Sequence, residues 1–413
     1  MLQASSITKT QHWIFVSLLP ALLLLSACGD SSPYVRNASG GGESRAQNFS
    51  EVSLSTFNGF SETRYSTLGS GFLGAPLALN PNQCVVVTTD QRLALISYDD
   101  VVWIYKFPDQ TYPLPELASD SSGTVYSITT NGKLFAVDSS GSLKWEVTIR
   151  SKEQADDFSI PTWPLVVPGG IVVGMTDGSL KRFDFSGETV WEKKLGAGLC
   201  RSVAYHEEVG IAVGVTHNSY DREDSLKILS DEGVLRANVP VPRVESGPMI
   251  VGEDCIVIGA ADRNQEGKYR PALITFQKMG KQRWSKPLKA LPTGLSADDE
   301  GNVYVCGGGG AGVGGAITSF DRMGNLRWEV GLRQSIPASP VVASNMVCFV
   351  GTQDQSIGVF SYTRDGGFMK FAPIESLAKV ILPPVILPSG MLVFSCSSEP
   401  IILKNRGGSF LGL

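Results

Sequence analysis

Short apolar runs broken by turn residues fill the chain from about residue 74 onward. Gly170-Ile171-Val172-Val173-Gly174 is a β-branched run, Met175-Thr176-Asp177-Gly178 ends in an Asp-Gly turn, and Ser179-Leu180 starts the next run. That pattern predicts two short strands joined by a hairpin. Thr130-Asn131-Gly132 makes the same turn one unit earlier. A proline precedes the first strand of most units, at Pro76, Pro164, Pro248, Pro340 and Pro384. A missing N–H costs little there, because the strand is only beginning. Helical periodicity is absent, and each unit reads as four strands, A to D.

The units repeat. Phe135-Ala136-Val137-Asp138-Ser139-Ser140-Gly141-Ser142-Leu143-Lys144-Trp145 recurs as Phe183-Asp184-Phe185-Ser186-Gly187-Glu188-Thr189-Val190-Trp191, with Asp to Gly three steps and Gly to Trp four. The same step joins Gly280 to Trp284 and Gly324 to Trp328, and Asp99 replaces Gly before Trp103. Degenerate copies after Gly233, Gly367 and Gly407 put Ala237, Phe371 and Leu411 at the anchor position. The anchors Trp103, Trp145, Trp191, Ala237, Trp284, Trp328, Phe371 and Leu411 are 40 to 47 residues apart, giving eight units over residues 74–413. A period of this length signals stacked units. Four strands per unit predict an all-β chain folded as an eight-bladed β-propeller of four-stranded antiparallel blades, with a solenoid as the alternative. A strand near Ser61 to Leu68 is available to join the two ends of the ring.

The amino terminus has a different character. Lys9 precedes an apolar stretch, Trp13 to Leu25, too short to span a bilayer as a helix, which predicts a secretion signal over residues 1–27. Leu25-Ser26-Ala27-Cys28 resembles the bacterial lipobox, which implies a lipidated, palmitate-bearing Cys28; an ordinary signal peptide is the alternative. Gly29 after the cysteine implies the outer rather than the inner membrane. Residues 28–50, with Gly40-Gly41-Gly42, read as a flexible linker, and residues 51–413 as the propeller. Removing the signal leaves 34 basic against 40 acidic residues, a net −6 that argues against a nucleic-acid partner.

Gly123-Thr124-Val125-Tyr126 through Trp145 resembles the repeat of the pyrroloquinoline-quinone-like propeller family, roughly Gly-x-Val-Tyr-Val, Ala-x-Asp, then Gly and Trp. That family holds both quinone-dependent dehydrogenases and cofactor-free members. Among lipid-anchored members, the plan of signal, lipobox, tether and one disc is similar to the propeller lipoprotein of the outer-membrane β-barrel assembly machinery. The resemblance implies a non-catalytic, monomeric scaffold without a cofactor. It would be lipid-anchored in the outer membrane facing the periplasm, and would bind protein partners of the cell envelope. Leu199-Cys200-Arg201-Ser202 faintly echoes that member's partner-binding loop and transfers no specificity.

Catalytic chemistry is sparsely supplied. The adjacent Cys pair of many quinone dehydrogenases is missing. Only His206 and His217 remain after signal removal, with no Cys-x-x-Cys and no Gly-x-Ser-x-Gly. Asp298-Asp299 beside Gly301 reads as a solvated turn. Gly310-Ala311-Gly312-Val313-Gly314-Gly315 fits Gly-x-Gly-x-x-Gly, but Ala316 to Phe320 continues as a strand where a phosphate site needs a helix. Cys84, Cys200, Cys255, Cys306, Cys348 and Cys396 permit disulfides in an oxidising compartment, yet their positions in strands favour free buried thiols. A quinone-dependent dehydrogenase and a carbohydrate-binding propeller stay as alternatives.

Three consecutive units carry long insertions between strands B and C: Thr216 to Asp224, Ala260 to Arg270, and Gly307 to Gly315. B–C and D–A connections share one face of a propeller, so the three predict a clustered rim. Tyr220, Arg222, Arg263, Tyr269 and Arg270 are its candidate partner-binding residues, because Tyr and Arg dominate interface hot spots. Drift in tolerated surface loops is the competing reading.

Overall fold

The computed structural model describes residues 36–37, 49–50, 53–54 and 60–405, the last with breaks at 98–99, 110, 150–162, 218–222, 264–268, 309–313, 334–338, 354–355, 375–383, 388 and 396–400. Cys28, Tyr220, Arg222, Cys396 and Leu411 lie outside the described residues. Every regular element among those described is a strand, and the strands form eight sheets.

Blade two is representative, with strands Pro113–Ser119, Val125–Thr129, Lys133–Val137 and Leu143–Thr148 paired antiparallel in that order. Its second strand is buried at every position, while the fourth alternates between half-buried and exposed. Inner strands lie between neighbouring sheets and therefore read as continuous apolar runs, whereas the outermost strand has one face in water. Blades one, three, four, five, six and seven span residues 77–106, 165–194, 199–241, 243–287, 291–332 and 341–373. The first strand of each blade touches that of the next around a full circle, Val385–Ile386 of blade eight closing onto Leu77–Asn80 of blade one. The core is divided the same way, each apolar cluster filling the gap between two blades, as Tyr126, Leu134 and Ala136 do against Ile171, Val173 and Phe183.

Blade eight takes its fourth strand from the other end of the chain. Phe60–Arg64 pairs antiparallel with Ile401–Asn405, Phe60 opposite Asn405 and Arg64 opposite Ile401. The eight units are therefore not contiguous over 74–413, and the fourth strand of the last one precedes the first unit.

The recurring Asp-Gly-Trp phrase is a latch between blades. Trp145 sits on the outer strand of blade two, and its indole N–H donates to the Phe185 carbonyl in the C–D turn of blade three at 2.9 Å. Gly187 of that turn has φ +89°, and a Cβ there would stand 2.9 Å from the Trp145 ring, so only glycine admits both the turn and the ring. Trp103, Trp191, Trp284 and Trp328 repeat the donation to Ser139, Asp231, Arg322 and Arg364 at 3.0, 2.8, 3.3 and 2.8 Å. Between blades four and five Ala237 replaces the indole, and Val239 with Ala237 covers Gly280 instead.

Phe371 departs from this scheme. The glycine against Trp328 is Gly366, φ +87°, not Gly367, so the residue in the anchor register is Lys370, opposite Ser361. A one-residue shift on a strand reverses the side chain's face. Phe371 accordingly packs with Trp328, Tyr304 and Phe349 in the gap toward blade six, its ring 4.7 Å from Phe360.

Two further expectations change. Arg36–Asn37 and Phe49–Ser50, expected in the flexible linker, pair with the innermost strands of blade two (Arg36 with Ser119) and blade seven (Phe49 with Val342). An innermost strand has a free backbone edge, and pairing with it demands no side-chain pattern. Pro248 lies within strand Arg243–Val251 rather than before it, at an irregularity between Ser246 and Met249 that removes the need for its N–H.

Candidate partner-binding face

One end of the ring carries the A–B and C–D turns, the other the B–C and D–A connections. At the second end the B–C connections are residues 88–91, 130–132 and 175–178 in blades one to three, but 217–223, 264–268 and 309–314 in blades four to six. The blades that carry the long connections are neighbours in the ring, and part of the blade-five insertion is strand. Ala260–Arg263 and Tyr269–Ala272 continue the ladder of blade five, Asp262 opposite Arg270 and Arg263 opposite Tyr269. Leu288 N–H donates to the Pro271 carbonyl at 2.9 Å, where the outer strand ends. A rigid ribbon, not a loop, therefore carries Arg263, Tyr269 and the exposed Arg270.

Blade seven adds a ribbon that insertion length did not reveal, because the strands themselves are long. Met346–Gln353 and Ser356–Thr363 pair to their tips, Gln353 opposite Ser356, while the inner strand Val341–Ala343 reaches only Val347 and Cys348. Ile357 at this tip is 42% exposed. The continuous apolar run from Met346 to Val350, carried on to Thr352, was the available signal.

The base of the blade-four connection is braced. The buried Asp224 carboxylate accepts the His217 N–H at 2.9 Å and, across the gap to blade five, the Val244 N–H at 2.8 Å. His217 Nδ1 stands 3.7 Å from that carboxylate. Ser202 Oγ donates to the Gly247 carbonyl, tying the inner strands of blades four and five, and Ser296 Oγ donates to the Pro340 carbonyl at 2.5 Å between blades six and seven. Leu199-Cys200-Arg201-Ser202 is strand in this inner layer, not loop, with Arg201 at a bulge between Cys200 and Ser202.

The inner strands also hold carboxylates. Glu116 stands in the irregular part of Pro113–Ser119, its Oε2 buried without a hydrogen-bond partner, and burial pushes its pKa up to about 7. Glu245 is paired with Arg243 at 3.1 Å. Asp177, in the B–C turn of blade three, differs: burial opposes its ionisation, but hydrogen bonds from Ser179 and Lys194 win and hold it at about 2.

At the first end, Asp298 of the acidic turn of blade six is not solvated as expected, while Asp299 beside it is exposed. Asp298 is 2% exposed; its carboxylate accepts the Glu300 and Asn302 N–H groups and the Tyr304 hydroxyl, and pairs with Arg364 of blade seven at 2.8 Å. Asp299 lies 2.9 Å from the same guanidinium. The five described cysteines are buried, unlinked thiols; Cys200 belongs to an innermost strand, the other four to second strands. Burial pushes Cys200 and Cys348 up to about 12, which keeps them protonated and inert. Gly315–Phe320 is strand, so no helix follows the glycines of residues 310–315. Among the described residues no group of three or more His, Cys, Asp or Glu side chains gathers as a metal would require, and no helix is long and apolar enough to cross a membrane.

A closed circle of four-stranded blades, latched by tryptophan onto glycine, defines a β-propeller of the quinone-like repeat type. The family model described as outer membrane protein assembly factor BamB matches residues 64–159, 90–223 and 273–367, and the chain belongs to that family. Solved propellers share the fold. The BamB crystal structure from Moraxella catarrhalis is 16% identical, with a TM-score of 0.59 over 87% of this chain and all of that one. The Dos1 propeller is 10% identical, with a TM-score of 0.61 over 85% of this chain and 96% of its own. Sqt1 of Saccharomyces cerevisiae is also 10% identical, at 0.56 over 85% and 99%. Among curated proteins nothing matches the chain.

Proposed function

We propose that the protein is a non-catalytic scaffold of the bacterial envelope, anchored to the outer membrane through Cys28 and holding protein partners in outer-membrane protein assembly. Family membership supports the setting. The observation that carries the binding role is the run of long B–C connections on adjoining blades four to six, rooted on a rigid base through Asp224 and the blade-five ribbon. Loops and ribbons held on rigid scaffolds are where binding residues concentrate. The partner would be gripped by the Tyr and Arg side chains of this rim, with no bond made or broken.

The test is crosslinking in intact cells. Replacing residues 217–223, 262–270 and 309–314 with two-residue turns is expected to abolish recovery of the crosslinked partner while urea unfolding stays cooperative. Unchanged recovery from the shortened protein rejects the rim.

A further inference from the structure

The free part of the tether is shorter than its composition suggests, since Arg36–Asn37 is already stitched to blade two. Its partners Ser119 and Ala118 immediately precede an A–B turn, so the chain leaves the ring at the A–B/C–D end. Phe49–Ser50 and Leu54 keep to the same end, beside Ala343 and Asn345 at the A–B turn of blade seven. Residues 29–35 alone separate Arg36 from Cys28, a reach of roughly 30 Å at full extension. Rounding the rim to the other face from that added strand takes about 19 Å across the five strands of blade two and about 17–20 Å along a strand. A tether rooted near the axis is too short for that path.

The same end carries an arc of apolar side chains. Phe185, Leu235, Met279, Met323, Leu326 and Phe368 stand in or beside the C–D turns of blades three to seven and are 36% to 75% exposed. Single exposed apolar residues are ordinary; recurrence at one corner of five successive blades is not. Exposed Lys278, Lys281 and Arg322 flank the methionines. At the opposite end the large exposed apolar residues described are Leu73, Tyr112 and Ile357.

From the tether's root and the arc together we infer that the A–B/C–D face docks on the phospholipid surface, its apolar corners at headgroup depth. The B–C hairpins are then displayed away from the bilayer. This rests on the lipid anchor at Cys28, and it adds which side of the disc faces lipid.

The experiment uses the lipidated full chain in vesicles of phosphatidylethanolamine and phosphatidylglycerol with brominated acyl chains. A fluorophore is attached at M323C or, for the other face, at N131C in the B–C turn of blade two, with the unsubstituted chain as the labelling control. Quenching several-fold stronger at position 323 than at 131 is expected. Equal quenching, or stronger quenching at 131, in protein that floats with the vesicles overturns the docking alone. Protein that fails to float overturns the anchor and the docking together.

Discussion

At the residue scale, one turn and one ring make each joint between blades: Gly187 leaves the space that the Trp145 indole fills, and the indole N–H holds the Phe185 carbonyl. The Asp-x-x-Gly-x-x-x-Trp phrase announced itself because its turn and its latch both act at fixed offsets, as Gly187 and Trp145 show. Phe371 was misplaced because two adjacent glycines, Gly366 and Gly367, offered two registers, and only the ring of Trp328 chooses between them. Glu116 gave no signal at all, since nothing in Pro-Glu-Leu tells that the carboxyl is buried. Its consequence is testable. The folded protein holds this proton up to about pH 7 while the unfolded chain releases it near the ordinary 4.5. Between those values the native state binds more protons, so stability falls as pH rises and ends lowest above 7. E116Q should flatten this decline and raise stability at pH 8 by ~2–3 kcal/mol. Urea denaturation at pH 5 and pH 8 measures it, and parallel pH profiles for the two proteins would contradict the assignment.

At the element scale, β-branched runs and Asp-Gly turns located most of the strands, because burial between neighbouring sheets leaves its mark on sequence. Extensions beyond the blade, such as Ala260–Arg263, did not separate from loop by composition. Nor did the backbone pairings of Arg36–Asn37 and Phe49–Ser50, which depend on a free edge rather than on side chains. Joints between blades are a further layer. Asp298 and Arg364 are separated by 66 positions, yet the carboxylate is fully covered by the meeting of blades six and seven. R364A leaves that charge buried without its cation and should cost about 3 kcal/mol or more. Adding D298N should recover part of the loss, which a double-mutant cycle in urea reads directly; additive losses would show that the pair is not coupled.

At the scale of the whole molecule, the repeat predicted the circle and offered a strand near Ser61 to Leu68 for its seam, which the structure places at Phe60–Arg64. Tandem units say how many blades there are, and only the pairing of Phe60–Arg64 with Ile401–Asn405 says how the first meets the last. A chain beginning at residue 55 retains this strand and should unfold cooperatively. One beginning at residue 66 leaves blade eight without its outer strand, and its melting temperature should fall by ~10 °C or more; equal melting of the two would remove the strand from any role in closure. The seam also sets an order of events. Strands A to D of every other blade come from consecutive sequence, but this blade waits for residues 401–405, so a nascent chain stays an open arc until those residues have emerged. Loss of either Phe60–Arg64 or Ile401–Asn405 then opens the same clasp, and the product exposes the unpaired margin that quality-control proteases and aggregation both exploit.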